Sequence, residues 1–374
     1  MKRVSYIFPI SHRFRYPFHV ALREELAKSD IDYTVAYCAP FGANVAKKDT
    51  VDIDWGQKVP MWKIGPAVLQ FAFSEVWRSD LVVIQQENRL LLNYFCQILH
   101  MLGLKKVAFF GHGRNLQAVK TDSLLEKWKR FWATRIGWWF GYTDSTRAYL
   151  LDIGYPQDKI TVFQNSIDTS NISREIAALT DADLDNARKT LGITGTNVAV
   201  YVGGIYKEKR IPFLIEAAIA IRKRVPDFEF VVIGGGDAAH LIKEAAQQHP
   251  WIKVAGPRFG PEKTAMVKLG KVFLMPGLVG LGILDAFAYG TPMVTTDLPY
   301  HSPEIVYLES GVNGVMVKDS ESVDAYADAV STILTDETYR TRLVEGGYRA
   351  LSGLGIEQMA ARFAEGVRLA LSRA

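Results

Sequence analysis

Cysteine is nearly absent: the chain of 374 residues holds two, Cys38 and Cys96. They lie far apart and form neither a metal-ligand spacing nor a disulfide framework. Both stand in apolar or aromatic surroundings and read as buried free thiols of a reducing compartment. Long hydrophobic runs are also missing. Nothing approaches the ~18–20 uncharged apolar residues that cross a bilayer. The opening MKRVSYIFPI is too short an apolar run for a signal peptide, and polar SHRFR follows at once. A surplus of one charge is missing too. The net charge is +4, which does not demand nucleic acid, and no nucleic-acid partner is expected. Glycine is absent where the first strand ends, in KRVSYIFPISHRFR. A nicotinamide-dependent oxidoreductase needs a glycine fingerprint there, so that class is excluded.

What remains is globular composition, 48% hydrophobic and 22% charged. The length favours two domains. Short apolar runs alternate with helical patterns. Strands are expected at residues 4–9, 33–37, 81–84, 107–110, 142–143 and 160–163, with helices at 17–28 and 89–102. Residues 169–195 turn polar and helical without strand signal, so the linker is placed at 171–195. A second series follows: strands at 197–202, 229–233, 251–255, 272–275 and 293–295, with helices at 211–224, 238–247 and 283–289. Alternation of this kind implies parallel sheets covered on both faces. The expected fold is α/β, with two Rossmann-like domains facing each other across a cleft. The first spans 1–170 and takes the acceptor; the second spans 196–355 and takes a nucleotide. An amphipathic helix within 356–374 could pack back on the first.

Two turns in the second half suit an anion. In YVGGIYKEKRIPF a strand ends and Gly203 and Gly204 follow, with Lys207, Lys209 and Arg210 before a helix. Glycines let the backbone approach an anion, and cations at the same place suit a pyrophosphate. A glycine turn with solvated lysines explains this stretch equally well. In PGLVGLGILDAFAYG, Gly277, Gly280 and Gly282 precede a helix whose first turn holds Asp285. An acid there stabilises a helix start, or accepts two ribose hydroxyls. Gly234–Gly236 reads as a tight turn near the ligand. In the first half, Gly111, His112, Gly113, Arg114 and Asn115 follow a buried strand, which places His112 at the strand end where ligands bind.

In this order the pieces resemble the retaining glycosyltransferases of the GT-B fold, group 1 (family 4-like). The resemblance rests on QNSID (164–168), Gly203, Gly204 and Lys209, and on Gly234–Gly236, VAGPRFG (254–260), Pro276 to Asp285–Ala286, GTPMVTTD (290–297), PEIV (303–306) and GVNGVMV (311–317). It covers most of residues 160–320. It implies a hexosyltransferase that moves a sugar from a nucleoside-diphosphate sugar to a glycan or lipid-linked acceptor, with retention, in surface polysaccharide or glycolipid synthesis. By resemblance, Gly203, Gly204 and Lys209 hold the diphosphate, Asp285 the ribose, and residues 257–259, with Arg258 among them, border the base. Gly280 and Gly282 line the donor loop, Glu304 shapes it, and His112 meets the sugar; His112 and Lys209 are the catalytic candidates. Two departures stand out. The family's phosphate-binding arginine position holds Gly204, so Lys207 or Arg210 is expected to supply that charge. The family's first glutamate, eight before the second, is replaced by Gly277, which leaves a non-catalytic or epimerase-like relative as the alternative.

No Asp-x-Asp pair lies in the donor half; Asp52 and Asp54 have that spacing but read as a surface turn. The chemistry is therefore expected to be metal-independent and to need no cofactor. EKWKRFWATRIGWWFGY (126–142) mixes Lys127, Lys129, Arg130 and Arg135 with four tryptophans, Trp128 among them, and SHRFRYPFH (11–19) adds Arg13 and Arg15. Basic residues with tryptophans suit an anionic bilayer or a lipid-linked acceptor; the same helix could instead fill the first core. The expected location is cytoplasmic, at the inner face of the cell membrane.

Overall fold

The structure is a computed structural model and describes residues 1–41, 50–113 and 124–373, with the side chains of 124–127 and 129 outside the description. It divides into two compact units, 1–168 with 354–374, and 169–353.

The first unit is built on β1 (Lys2–Ile10), β2 (Ile31–Cys38), β3 (Gln57–Lys58), β6 (Leu81–Gln85), β7 (Lys106–Gly111), β8 (Trp138–Gly141) and β9 (Ile160–Val162). A small antiparallel pair, β4 (Met61–Ile64) and β5 (Ala67–Gln70), stands apart. The seven strands run in the order β3-β2-β1-β6-β7-β8-β9, all parallel. Their central members are apolar on both faces because helices cover both. The expected strand at 142–143 lies earlier, at Trp138–Gly141, and all four of its residues are buried. Trp138 and Trp139 are thus core residues, not part of a lipid-facing stripe. Cys38 and Cys96 are buried and unpaired.

The helices of this unit are α1 (Tyr16–Ala27), α2 (Phe73–Arg78), α3 (Leu91–Met101), α4 (Leu124–Ala133) and α5 (Asp144–Asp152). The last helix of the chain, Ile356–Ser372, returns to them. Its Phe363 stacks on Phe140 at 3.9 Å between ring centres and meets Phe18 and Phe163, each at 5.4 Å. A Cβ on Gly366 would stand 2.4 Å from Thr161 Oγ1 and 2.6 Å from the Phe140 ring, so only glycine lets the helix lie this close.

The second unit has six parallel strands in the order β12-β11-β10-β13-β14-β15. They are β10 (Asn197–Val202), β11 (Phe228–Ile233), β12 (Ile252–Gly256), β13 (Val272–Leu274), β14 (Met293–Thr296) and β15 (Gly314–Val317). This is the 3-2-1-4-5-6 order of a doubly wound sheet, and its switch point lies between β10 and β13. Residues 171–195, read as a linker, form two helices, α6 (Ser170–Ala178) and α7 (Asp181–Leu191), that count within this unit. A capping box of Thr180 and Asp183 starts the second of them, and Gly192 at φ +61° ends it. They pack on α10 (Gly260–Lys268).

Candidate functional site

At the carboxyl edge of the second sheet, backbone meets backbone. A Cβ on Gly234 would stand 1.9 Å from the carbonyl oxygen of Gly203, and Gly203 N–H donates to Ile233 O at 3.0 Å. Ile205 N–H donates to Gly235 O at 2.9 Å. A second such approach is at the switch point. A Cβ on Gly277 would lie 2.4 Å from Lys209 Cα and 2.4 Å from Glu208 O. Leu278 N–H donates to Glu208 O at 2.9 Å, and Lys209 Nζ donates back to Leu278 O. The loop after β10 and the loop after β13 are therefore clasped, and Gly277 is the residue that lets them touch. No side chain fits at Gly277 in this geometry.

Lys209 is buried, its Nζ 5.3 Å from the centre of the Tyr206 ring. Burial pulls its pKa down to about 8, with neighbouring Glu208 working the other way. Lys207 is exposed and Gly204 is open to solvent. Arg210, expected as a phosphate ligand, is already engaged. Its guanidinium donates to Thr296 Oγ1 at 3.2 Å, to Ser320 O at 2.7 Å and to Glu321 Oε2 at 2.8 Å. It braces the clasp, because Thr296 Oγ1 donates in turn to Pro276 O at 2.7 Å.

Gly280 and Gly282 lead into α11 (Gly282–Tyr289). Their loop is held by His301, which the motif reading missed. Val279 N–H donates to His301 Nδ1 at 3.0 Å, which leaves Nε2 to donate to Thr296 O at 2.7 Å. The two backbone partners fix one neutral tautomer. Burial lowers the pKa of His301, opposed by the Thr296 carbonyl and Asp297, and Lys209 adds to the lowering. The only signal in the sequence was a histidine two residues before PEIV.

Asp285 lies in the first turn of α11. Part of its surface still reaches solvent, yet burial raises its pKa, against the opposing charge of Lys263. Burial disfavours the Lys263 ammonium, but Asp285, Tyr289 and Glu175 outweigh it and its pKa is raised. Lys263 was not singled out because an isolated lysine carries no motif. Arg258 pairs with Glu262 at 2.9 Å, and Phe259 beside it is exposed. Glu304 is buried in a short 3-10 turn.

The first sheet's carboxyl edge is made of side chains. Arg15 donates to Asn165 Oδ1 at 2.6 Å, and its guanidinium lies 5.7 Å from the Tyr142 ring centre and 5.9 Å from that of Phe110. The His112 ring stands 4.3 Å from the Tyr142 ring. His112 is exposed, yet enough protein surrounds the ring that desolvation, and then the charge of Arg15, pull its pKa to about 4. Arg15 thus belongs with His112 and Asn165, not with a lipid-facing stripe. Arg13 is exposed. Arg114 and Asn115, and the side chains of Lys127 and Lys129, lie outside the described residues. Trp128 and Arg130 are exposed on α4. Among the described residues no group of three or more His, Cys, Asp or Glu is placed to hold a metal ion, and no helix is long and apolar enough to cross a membrane.

The family described as "Glycosyl transferases group 1" matches residues 196–336. The chain carries a group 1 glycosyltransferase domain. An alpha-D-kanosaminyltransferase of Streptomyces kanamyceticus is 27% identical over 172 residues, 44% of each chain. A D-inositol 3-phosphate glycosyltransferase of Corynebacterium urealyticum is 28% identical over 180 residues, 44% of this chain and 42% of that one. The chain spans less than half the length of these two curated relatives. Among solved structures, Anabaena HepE in complex with UDP and glucose aligns at a TM-score of 0.71 and 13% identity, over 98% of this chain and 100% of that one. Such a likeness speaks for the fold alone, and the fold is GT-B: α/β, with parallel sheets in two Rossmann-like halves.

Proposed function

We propose that this group 1 transferase chain moves a sugar from a nucleoside-diphosphate sugar to a glycan or lipid-linked acceptor, with retention, in surface polysaccharide or glycolipid synthesis. One observation carries the donor half of the reading. Lys209 is an ammonium buried at the switch point of a doubly wound sheet, with a carbonyl and an aromatic ring as its close company. Such a charge is costly without a counter-ion, and switch points are where such sheets bind ligands. A diphosphate supplies the missing charge. As the sugar departs, negative charge grows on that diphosphate, and a fixed cation in a dry site stabilises it. That role asks for no metal.

The other donor contacts follow from the same loops. Gly203, Gly204, Gly280 and Gly282 let the backbone approach the phosphates, and Lys207 supplies an outer charge. Asp285 takes the ribose hydroxyls, residues 257–259 border the base, and Glu304 shapes the loop. His112, neutral at physiological pH, is proposed to meet the donor sugar as a hydrogen-bonding group. Arg210 is left out, because its guanidinium is spent on the brace. Gly277 also weakens the non-catalytic alternative. Its glycine is demanded by the clasp, so the lack of an acid there is architecture and not decay.

The test is a panel of uridine, guanosine and adenosine diphosphate sugars scored by thermal shift, followed by product analysis with the one that binds. Binding to the folded state alone raises its melting temperature. Asp285→Asn is expected to weaken that donor at least about tenfold, roughly 1.4 kcal/mol, while costing the fold less. No shift with any sugar nucleotide defeats the donor assignment, and equal losses return Asp285 to its role at the helix start.

A further inference from the structure

The Asp285 carboxylate has both oxygens unengaged. Among the described residues it accepts no hydrogen bond and touches no cation. It stands in the first turn of α11, partly open to solvent, where a ligand can reach it. The charge that acts on it comes from Lys263 on α10, and no ion pair at contact distance joins the two. A cation in direct contact would take the oxygens that a pair of ribose hydroxyls needs. A cation held back lends its field and leaves both oxygens open.

What holds Lys263 back is a chain of side chains across three helices. Tyr289 lies four residues after Asp285, on the same face of α11, and is fully buried. Lys263 Nζ stands 5.7 Å from its ring centre. Thr264, also fully buried, gives its one hydroxyl proton to Glu175 Oε2 on α6. It must therefore accept from the Tyr289 hydroxyl, at 3.1 Å. The Tyr289 proton is thus spent, and its oxygen offers only lone pairs to the ammonium. Asn171 Nδ2 holds the other oxygen of Glu175 at 2.6 Å. Burial works against the Lys263 charge, and Asp285, then Tyr289, then Glu175 outweigh it. Two further elements pack on α11. The helix Glu337–Leu351 turns Gly347 to Phe287 and the Tyr348 hydroxyl to Gly290, and the 3-10 turn Pro303–Tyr307 carries Glu304 and Tyr307. Neither brings a cation to Asp285, so Lys263 is the charge that supports it.

We infer that Lys263 is a positioning residue of the donor site: its ammonium, held off contact by Tyr289, Thr264 and Glu175, keeps Asp285 a carboxylate with both oxygens open to vicinal ribose hydroxyls. The inference rests on the donor reading given above and adds to it a residue that acts through Asp285. Without Lys263 the carboxyl would keep the burial that disfavours its charge and lose the charge that opposes it. It would then hold its proton to higher pH, and a protonated acid accepts fewer hydroxyl protons.

The full chain is titrated with uridine, guanosine and adenosine diphosphate, each beside its 2′,3′-dideoxy analogue, across the acid-to-neutral range. The analogue carries the same base and phosphates, so the ratio of the two affinities reports the ribose hydroxyls alone. In the unsubstituted chain the ratio should favour the ribonucleotide and shrink as pH falls. Lys263→Met and Lys263→Gln should move that loss to higher pH. At the pH where the unsubstituted ratio begins to fall, theirs should be lower by about tenfold, the effect of one unit in the acid's pKa. Lys263→Arg keeps the charge and should restore most of the ratio. In an Asp285→Asn background the same substitutions should change the ratio no further, since Lys263 acts through the acid. Lys263→Gln keeps a polar group beside Tyr289 and carries the test if Lys263→Met misfolds. If the neutral variants leave the ratio unmoved, or weaken both nucleotides alike at every pH, Lys263 only packs α10 on α11 and the inference is overturned. Binding of none of the nucleotides by the unsubstituted chain is a different failure: it removes the donor reading, and the inference with it.

Discussion

The two sheets finish their carboxyl edges by different means. In the second unit the edge is made by backbone touching backbone: Gly234 against Gly203, and Gly277 against Glu208 and Lys209. In the first it is made by side chains: Arg15 on Asn165, His112 on Tyr142, and His19 beneath them, its Nδ1 2.8 Å from the Tyr33 hydroxyl. A backbone-built edge has no give, since a methyl group added at the contact has nowhere to go. A side-chain-built edge loses only the contact that is removed. The expected consequence is a difference in tolerance. Gly277→Ala forces a Cβ to 2.4 Å from main-chain atoms, which should cost the second unit about 3 kcal/mol, the upper end for overpacking, and abolish donor binding. Asn165→Ala should cost the first unit about 1.5–3 kcal/mol, the range for a hydrogen bond to a charged group. Hydrogen exchange separates the two units and reads both values. If Gly277→Ala proves the milder of the two, the contrast is gone.

The same contrast decides what could be read in advance. Backbone approach needs glycine, and glycine in fixed order is visible in a sequence. Gly234 and Gly236, whose Cβ would stand 1.9 Å from Gly203 O and 2.3 Å from Ile205 O, were therefore legible as a tight turn, as were the strands at 197–202 and 293–295, whose apolar residues cluster in short runs. The first edge left no such trace. Arg15 and Asn165 are 150 residues apart, and nothing local says that they meet. Arg15 was read with the lipid-facing residues because its neighbours Phe14 and Phe18 are aromatic, while Phe18 is in fact core. Trp138 and Trp139 misled in the same way, since a buried strand and a lipid-facing stripe have the same composition and differ only in what covers them. Arg210 erred in the opposite direction. Its place after the glycines suggested a phosphate, and only the partners Ser320 and Glu321, far along the chain, show that it is occupied.

Buried bases sharpen the comparison, because each unit answers pH in its own window. Burial, and then Arg15, hold the pKa of His19 at about 3 in the folded chain, against about 6.5 unfolded. The unfolded state therefore binds more protons between these values. The stability is complete above 6.5 and is lost as pH falls toward 3, by roughly 1.4 kcal/mol per pH unit. Lys209 falls from about 10.5 to about 8, so the penalty of its buried charge is complete below 8 and relieved as pH rises toward 10.5. His19→Phe should flatten the acid limb in the first unit, and Lys209→Met the alkaline limb in the second. The donor offers a second reading of Lys209. A diphosphate favours the ammonium, so donor affinity should fall up to about tenfold per pH unit above 8, and Lys209→Met should remove that slope along with most of the binding. An affinity flat from pH 7 to 10 in the unsubstituted chain separates Lys209 from the phosphates.

The smallest expected effect isolates Arg210. Its partner Glu321 is 78% exposed at the side chain, and ion pairs with an exposed member contribute little, about 0.5 kcal/mol or less. Glu321→Gln should therefore leave stability almost unchanged. It should also leave donor affinity unchanged, because Ser320 O and Thr296 Oγ1 still hold the guanidinium. The backbone reinforces this, since Arg210 sits at φ +55°, a conformation that a non-glycine residue keeps only when its surroundings hold it there. A guanidinium held at three points on the far side of the clasp stabilises the loops without touching what they bind. If Glu321→Gln instead raised donor affinity tenfold, the freed arginine would have moved onto the phosphates. The second edge would then depend on a side chain after all, and the distinction between the two sheets would be one of degree.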